Sequence, residues 1–275
     1  MKVFVKRSLT GVAFAAIMLA GIIIHQYVFA IVFTVFLLLT LYEFYKISEH
    51  IGYEPSAKIG LFSGFILFTI FFLAATRVIP QNYIYLSILI PLATLLPDLF
   101  DKRKNGFKNS MITLAGLIYI ALPFSLLSFI IIPVNRPESE FYPWILFGIF
   151  LIIWMYDSMA YVFGSWFGKH KICSRISPKK SWEGLVGGAV FAAIMGIVNS
   201  ILFKELSMTN WIVIAILIVA FGTSGDFFES KLKREAGVKD SGSILPGHGG
   251  MLDRFDTVLF AIPVIYVWIN LFGNI

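Results

Sequence analysis

A chain of 275 residues that is 58% hydrophobic and 14% charged is too apolar for a soluble domain, whose apolar share is about half. Its Lys and Arg outnumber its Asp and Glu by 22 to 16, and a single cysteine excludes an intramolecular disulfide. The composition is that of an all-α, polytopic membrane protein. Nine apolar runs are predicted to cross a hydrocarbon core about 30 Å thick. In chain order they are Leu9 to Ile24, Tyr27 to Tyr45, Ile59 to Ala75, Tyr83 to Leu96, Ser110 to Ile132, Trp144 to Phe167, Leu185 to Phe203, Trp211 to Phe228 and Thr257 to Phe272. The first follows "MKVFVKRS" and reads as a retained anchor, because another apolar run comes at once and no small-residue cleavage site precedes it. The fourth is the shortest.

With nine spans and a cytoplasmic N-terminus, every basic residue except Arg77, Arg136 and Lys204 falls on the cytoplasmic side. That bias predicts the orientation and a multi-pass protein of the cytoplasmic membrane. The net charge of +6 is thereby read as topology, and no nucleic-acid partner is expected. Residues 1–141 carry short loops with solvated or headgroup-facing charges and read as scaffold helices with possible dimer contacts. Glu43, at the end of the second span, reads as an interfacial residue. Residues 142–275 hold acids within the apolar runs and the two longest charged loops, so the chemistry is expected there. No internal repeat is visible, which argues against an inverted-repeat transporter.

Ionisable residues inside a span are expensive and point to function. At 1.5 Å per residue, Asp226 lies about 23 Å along its helix from Trp211, and Asp157 about 20 Å from Trp144. Asp253 and Asp256 open the last span from the same side. Three helices thus bring carboxylates towards one membrane depth. Asp253 with Asp256, and Asp226 with Glu229, are three residues apart on one helix face. Carboxylates alone favour Mg²⁺ or a similar hard cation over zinc; the plainer alternative for Asp253 is a helix N-terminal acid facing the macrodipole, and for Asp226 a structural pair with a neighbouring Lys or Arg.

Two loops flank these acids. "SKLKREAGVKDSGSILPGHGGMLDRFD" runs from Ser230 to Asp256, and its Pro246, Gly247, Gly249 and Gly250 would let backbone amides approach an anion at the start of the last helix. His248 reads equally as a phosphate ligand, a proton donor or a loop-ordering hydrogen bonder. In "GKHKICSRISPKKSWEG", from Gly168 to Gly184, Lys179 and Lys180 either clamp phosphates or hold the segment at an anionic leaflet. Ala160, Gly164 and Gly168 form a small-residue stripe that reads as helix packing.

The ordered residues Ser230, Leu232, Lys233, Arg234, Lys239, Asp240, Pro246, His248, Gly249, Gly250, Asp253, Arg254 and Asp256 resemble the C-terminal signature of phosphatidate cytidylyltransferases, also called CDP-diacylglycerol synthases. "SPKKSWEG" at Ser177 to Gly184 resembles a second motif of that family, with Ser181 where Thr is more usual. "DSMAYVFGSWFGKHK" at Asp157 to Lys171 resembles a third, with Ser158 and Met159 replacing the commoner Thr-Gly. The first half of the chain is similar only in being helical and membranous.

The resemblance implies that CTP and phosphatidate, drawn from the inner leaflet, give CDP-diacylglycerol and pyrophosphate at a cytoplasm-facing site in phospholipid biosynthesis. It implies Mg²⁺, a second cation such as K⁺, and a homodimer. Asp226, Asp253 and Asp256 would hold metal. Lys233, Arg234, Lys239, Asp240 and His248 would act on the reacting phosphates or order the loop. Asp157, Ser177, Lys179, Lys180, Ser230, Gly249, Gly250 and Arg254 would bind substrate. The rival expectations are a CTP-dependent lipid-alcohol kinase, an ion-coupled transporter and a lipid-binding structural protein. The transporter would spread its acids across the membrane depth, whereas these crowd one end.

Overall fold

The computed structural model describes residues 2–96, 106–133, 141–247 and 249–273. It is a helical, multi-pass membrane protein: among the described residues, seven helices are long and apolar enough to cross a bilayer. They are α2 (Gln26–Ile51), α3 (Ala57–Ala75), the run Gly106–Ile131, α7 (Pro143–Phe167), α8 (Trp182–Leu202), the run Met208–Glu235 and α11 (Leu252–Phe272). The first expected span lies in α1 (Lys2–Ile23), whose apolar part, Leu9–Ile23, is shorter.

The fourth expected span is not a long helix. Gln81–Ile88 is a 3₁₀-helix, followed by the five-residue α4 (Leu89–Ala93). Pro91 has no N–H to return to Ser87, so an α-helix cannot propagate smoothly through this segment. The run Gly106–Ile131 comprises α5 (Gly106–Gly116), a π-helical turn (Leu117–Ala121) and α6 (Leu122–Ile131). A second π-helical turn, Ile218–Gly222, joins α9 (Met208–Leu217) to α10 (Thr223–Glu235) just before Asp226. Such turns are rare and concentrate near functional sites. Lys102, Arg103, Lys104 and Arg136, used in the orientation argument, lie outside the described residues.

The chain forms two compact units, one of Met1–Phe141 with Leu232–Phe255, the other of Tyr142–Lys231 with Asp256–Ile275. In the first, α2 packs against α1 and α3, and α3 against α6. A phenylalanine cluster fills the interior: the ring of Phe255 lies 4.9 Å from Phe124 and 5.4 Å from Phe36, which anchors the start of α11 in this unit. Tyr45 donates its hydroxyl to the carbonyl of Thr113 at 2.9 Å, so its polar tip is satisfied between helices.

In the second unit, α7 packs along α8 and α8 along α9. The small-residue stripe read from sequence does serve packing here: Ala160 and Gly164 lie against Gly184 at the start of α8. Asn199 donates to the carbonyl of Gly148 at 2.9 Å, and Tyr156 and Thr223 share a hydrogen bond of 2.5 Å. With no hydrophobic drive between helices in lipid, close approach and such interhelical bonds hold the bundle.

Candidate active site

Between α7 and α8 the chain makes a small antiparallel hairpin, β1 (Lys171–Cys173) with β2 (Ser177–Ser181). Ser181 then caps α8, accepting the N–H of Gly184 at 3.2 Å, the side-chain cap expected where four helical amides lack partners. Glu183, in the first turn, accepts the backbone N–H of His170 at 3.1 Å and meets its ring Nδ1 at 2.6 Å. These bonds fix the hairpin on the helix end. Successive strand side chains point to opposite sides. Lys179 is exposed, whereas Lys180 is half-buried, forms a salt bridge to Asp226 and sits 5.0 Å from the ring centre of Phe227.

Asp226 in turn lies beside α11. A Cβ on Gly225 would collide with the backbone carbonyl of Asp256, so only glycine lets α10 and α11 approach this closely. The half-buried carboxylate of Asp256 is within coulombic range of Asp226, Asp157 and Lys180, and it also accepts the N–H of Thr257 at 2.7 Å. The second unit therefore gathers three of the sequence-predicted acids, with Lys180 among them. Asp157 itself is exposed on α7.

The first unit holds a second lysine–aspartate pair. Lys233 Nζ donates to Asp253 Oδ1 at 2.6 Å, with 13% and 10% of these side chains exposed. Asp253 Oδ2 accepts the amide of Gly250 at 2.8 Å, the amide of Ser241 at 3.0 Å and the hydroxyl of Ser241 at 2.9 Å. Gly250 is buried, and a Cβ there would run into Ser241 Oγ and the carboxylate of Glu43. The glycine run thus serves a close approach of side chains to backbone. Gly249 bridges back to Leu245, its amide oxygen accepting from Leu245 at 3.1 Å.

Glu43 is the residue that sequence reasoning missed. Its carboxylate faces the protein interior and not solvent or headgroups: the residue is 3% exposed, and its Oε2 accepts the hydroxyl of Ser241 at 3.0 Å and the amide of Leu252 at 2.9 Å. The helix explains the error. α2 continues past the apolar run to Ile51, where Gly52 closes it in a left-handed conformation, so Glu43 lies two turns inside its end. The signal available was an acid within an apolar span, which is functional by default.

Of the remaining expected residues, Arg234, Lys239, Asp240 and Arg254 are exposed, and Ser177 and Ser230 are half-buried. His248 lies outside the described residues. Among the described residues, no three His, Cys, Asp or Glu side chains form a ready-made metal cluster. The donor chemistry nonetheless fits a hard cation: Asp226 and Asp256 are carboxylates near enough to feel each other's charge, and carboxylate oxygens are the donors such an ion takes. Asp253 is more committed, with both oxygens already accepting hydrogen bonds.

A family model described as "Cytidylyltransferase family" matches residues 5–272. Among curated proteins, a phosphatidate cytidylyltransferase of Staphylococcus saprophyticus is 38% identical over 190 residues, which cover 68% of this chain and 70% of that protein. Phosphatidate cytidylyltransferases of Staphylococcus epidermidis and Staphylococcus aureus are 39% and 37% identical over 169 residues, 61% of this chain. Those matches span 62% of the relatives' own length, less than two thirds.

Proposed function

The chain belongs to the cytidylyltransferase family, and from that premise we propose that it joins CTP to phosphatidate, releasing pyrophosphate and forming CDP-diacylglycerol in the cytoplasmic membrane. The observation that carries this reading is the pair of lysine–aspartate contacts, Lys180 of β2 with Asp226 of α10 and Lys233 of α10 with Asp253 of α11. Ionisable residues within apolar segments are costly and mark functional paths, and both substrates proposed here are charged.

A phosphatidate oxygen attacks the α-phosphorus of CTP. The new O–P bond forms as the bond to the β-phosphate oxygen breaks, and pyrophosphate leaves with that electron pair. A phosphate monoester with a second pKa of about 6 is largely dianionic at neutral pH, so no strong general base is required. The barrier is the meeting of two anions, and catalysis is mainly positioning and charge neutralisation.

Lys233, Arg234 and Lys239 are assigned to the triphosphate. Lys179 and Lys180 are assigned to the ground between triphosphate and lipid headgroup, with Lys180 exchanging Asp226 for phosphate as substrate enters. Ser177, Ser230 and Arg254 complete the polar lining, the backbone of Gly249 and Gly250 approaches phosphate, and Asp157 lines the lipid side. Asp240 and His248 order the loop. Asp226 and Asp256 would hold Mg²⁺, with Asp253 added on helix spacing from Asp256. When bound, the cation supplies charge neutralisation at the reacting phosphates. A second cation such as K⁺, a homodimer, and a site open to the cytoplasm and to the inner leaflet belong to the same proposal.

The test offers purified protein in mixed micelles CTP, ATP, GTP or UTP, with Mg²⁺ and either phosphatidate or a lipid alcohol. Pyrophosphate release with CTP alone, and only when both lipid and Mg²⁺ are present, is the expected result. Nucleoside diphosphate release with a lipid alcohol would replace the proposal by a kinase.

A further inference from the structure

We propose that Glu43 is a positioning residue for the reaction, acting through Ser241 to set the orientation of Asp253; the inference rests on the cytidylyltransferase reading above. A carboxylate that is 3% exposed is costly to bury without a counter-ion. Among the described residues, no Lys, Arg or His side chain forms a salt bridge with it. Glu43 is held, among the described residues, by the hydrogen bonds it accepts. Both hydrogen bonds converge on one atom: Oε2 takes the Leu252 amide, one of the otherwise unpartnered N–H groups that open α11, and the Ser241 hydroxyl. Oε1 is buried against Gly242 and has no hydrogen-bond partner among the described residues.

Ser241 transmits this constraint. Its single hydroxyl hydrogen faces two carboxylates, Glu43 Oε2 at 3.0 Å and Asp253 Oδ2 at 2.9 Å, while its oxygen accepts the Asp253 amide at 3.3 Å. A hydroxyl has one proton to give, so its bond to one carboxylate is set by its bond to the other. Glu43 thereby ties α2 to the loop and to the first turn of α11 at once. Its absence would free the serine hydroxyl and loosen the helix end that carries Asp253.

The asymmetry of the two oxygens supplies a sharp test. Glu43→Gln can present its amide oxygen where Oε2 sits and keep both hydrogen bonds, whereas Glu43→Ala loses both. Hydrogen–deuterium exchange over residues 238–256 and over 26–51 would be measured in detergent micelles, together with kcat and the Mg²⁺ concentration for half-maximal rate. For Glu43→Gln, all values are expected within about threefold of the parent. Glu43→Ala is expected to speed exchange over 238–256 and to lower kcat, each by about tenfold or more. Ser241→Ala should shift kcat and the Mg²⁺ dependence in the same direction with exchange over 26–51 unchanged, and the double variant should lose less than the product of the single losses.

Three results would overturn the inference: unchanged exchange over 238–256 in Glu43→Ala, unchanged kcat and Mg²⁺ dependence in Ser241→Ala, or damage in Glu43→Gln equal to that in Glu43→Ala. Should Glu43→Ala not fold, Ser241→Ala and Glu43→Gln decide the matter. If the parent protein transfers no cytidylyl group, the proposed function falls, and the exchange measurements still judge the positioning role by itself.

Discussion

Lys179 and Lys180 are neighbours in sequence and look equivalent there, but the strand that carries them gives them different fates. Lys180 meets Asp226, while Lys179 is exposed. Replacing Lys180 by Met is accordingly expected to lower kcat/KM for CTP by about a hundredfold, and replacing Lys179 by Met by only a few-fold. Steady-state kinetics on both variants separates the two. Asp226→Asn and Asp256→Asn should each lose at least about a hundredfold in kcat. Both should elute from size exclusion as the parent does, because each is only half-buried. Lys233→Met carries a different cost. It removes the Lys233 ammonium from a carboxylate that is only 10% exposed, and breaking a buried pair in this way destabilises by roughly 3 kcal/mol. A thermal unfolding midpoint lower by several degrees in detergent would show it.

At the scale of elements, the apolar runs were legible because a membrane demands long hydrophobic helices. Seven are present among the described residues, with boundaries set by caps that composition does not reveal. The segment after Pro80 was misread because apolar content says nothing about Pro91 and the hydrogen bond it removes. The π-helical turn before Asp226 was equally hidden, since no residue type encodes it. The approach of α10 to α11 could have been suspected from Gly222 and Gly225, three apart on one face, which lie against Thr257 and Asp256. Gly225→Val should separate those helices. Activity lost at least as severely as in Asp226→Asn, with Lys180 and Asp226 both intact, is the expected outcome of a kinetic comparison.

At the scale of the whole molecule, sequence placed the acids and lysines in the second half of the chain because the charged loops stand out from an apolar background. It did not anticipate that the glycine-rich loop folds with the first unit, or that Glu43, 198 residues from Ser241, completes its network. Such contacts are set by tertiary packing, and no periodicity along the chain records them. The resemblance carried substrate and metal assignments further than spacing alone could, because repelling carboxylates and basic loops specify a hard cation and an anion without specifying a nucleotide. The central claim, transfer of a cytidylyl group to phosphatidate, is tested most directly by radiolabel position. Incubation with phosphatidate, Mg²⁺ and either α-³²P- or γ-³²P-labelled CTP should move the α label into the chloroform-soluble lipid and leave the γ label in pyrophosphate. Label entering the lipid from the γ position, or from neither, would contradict it.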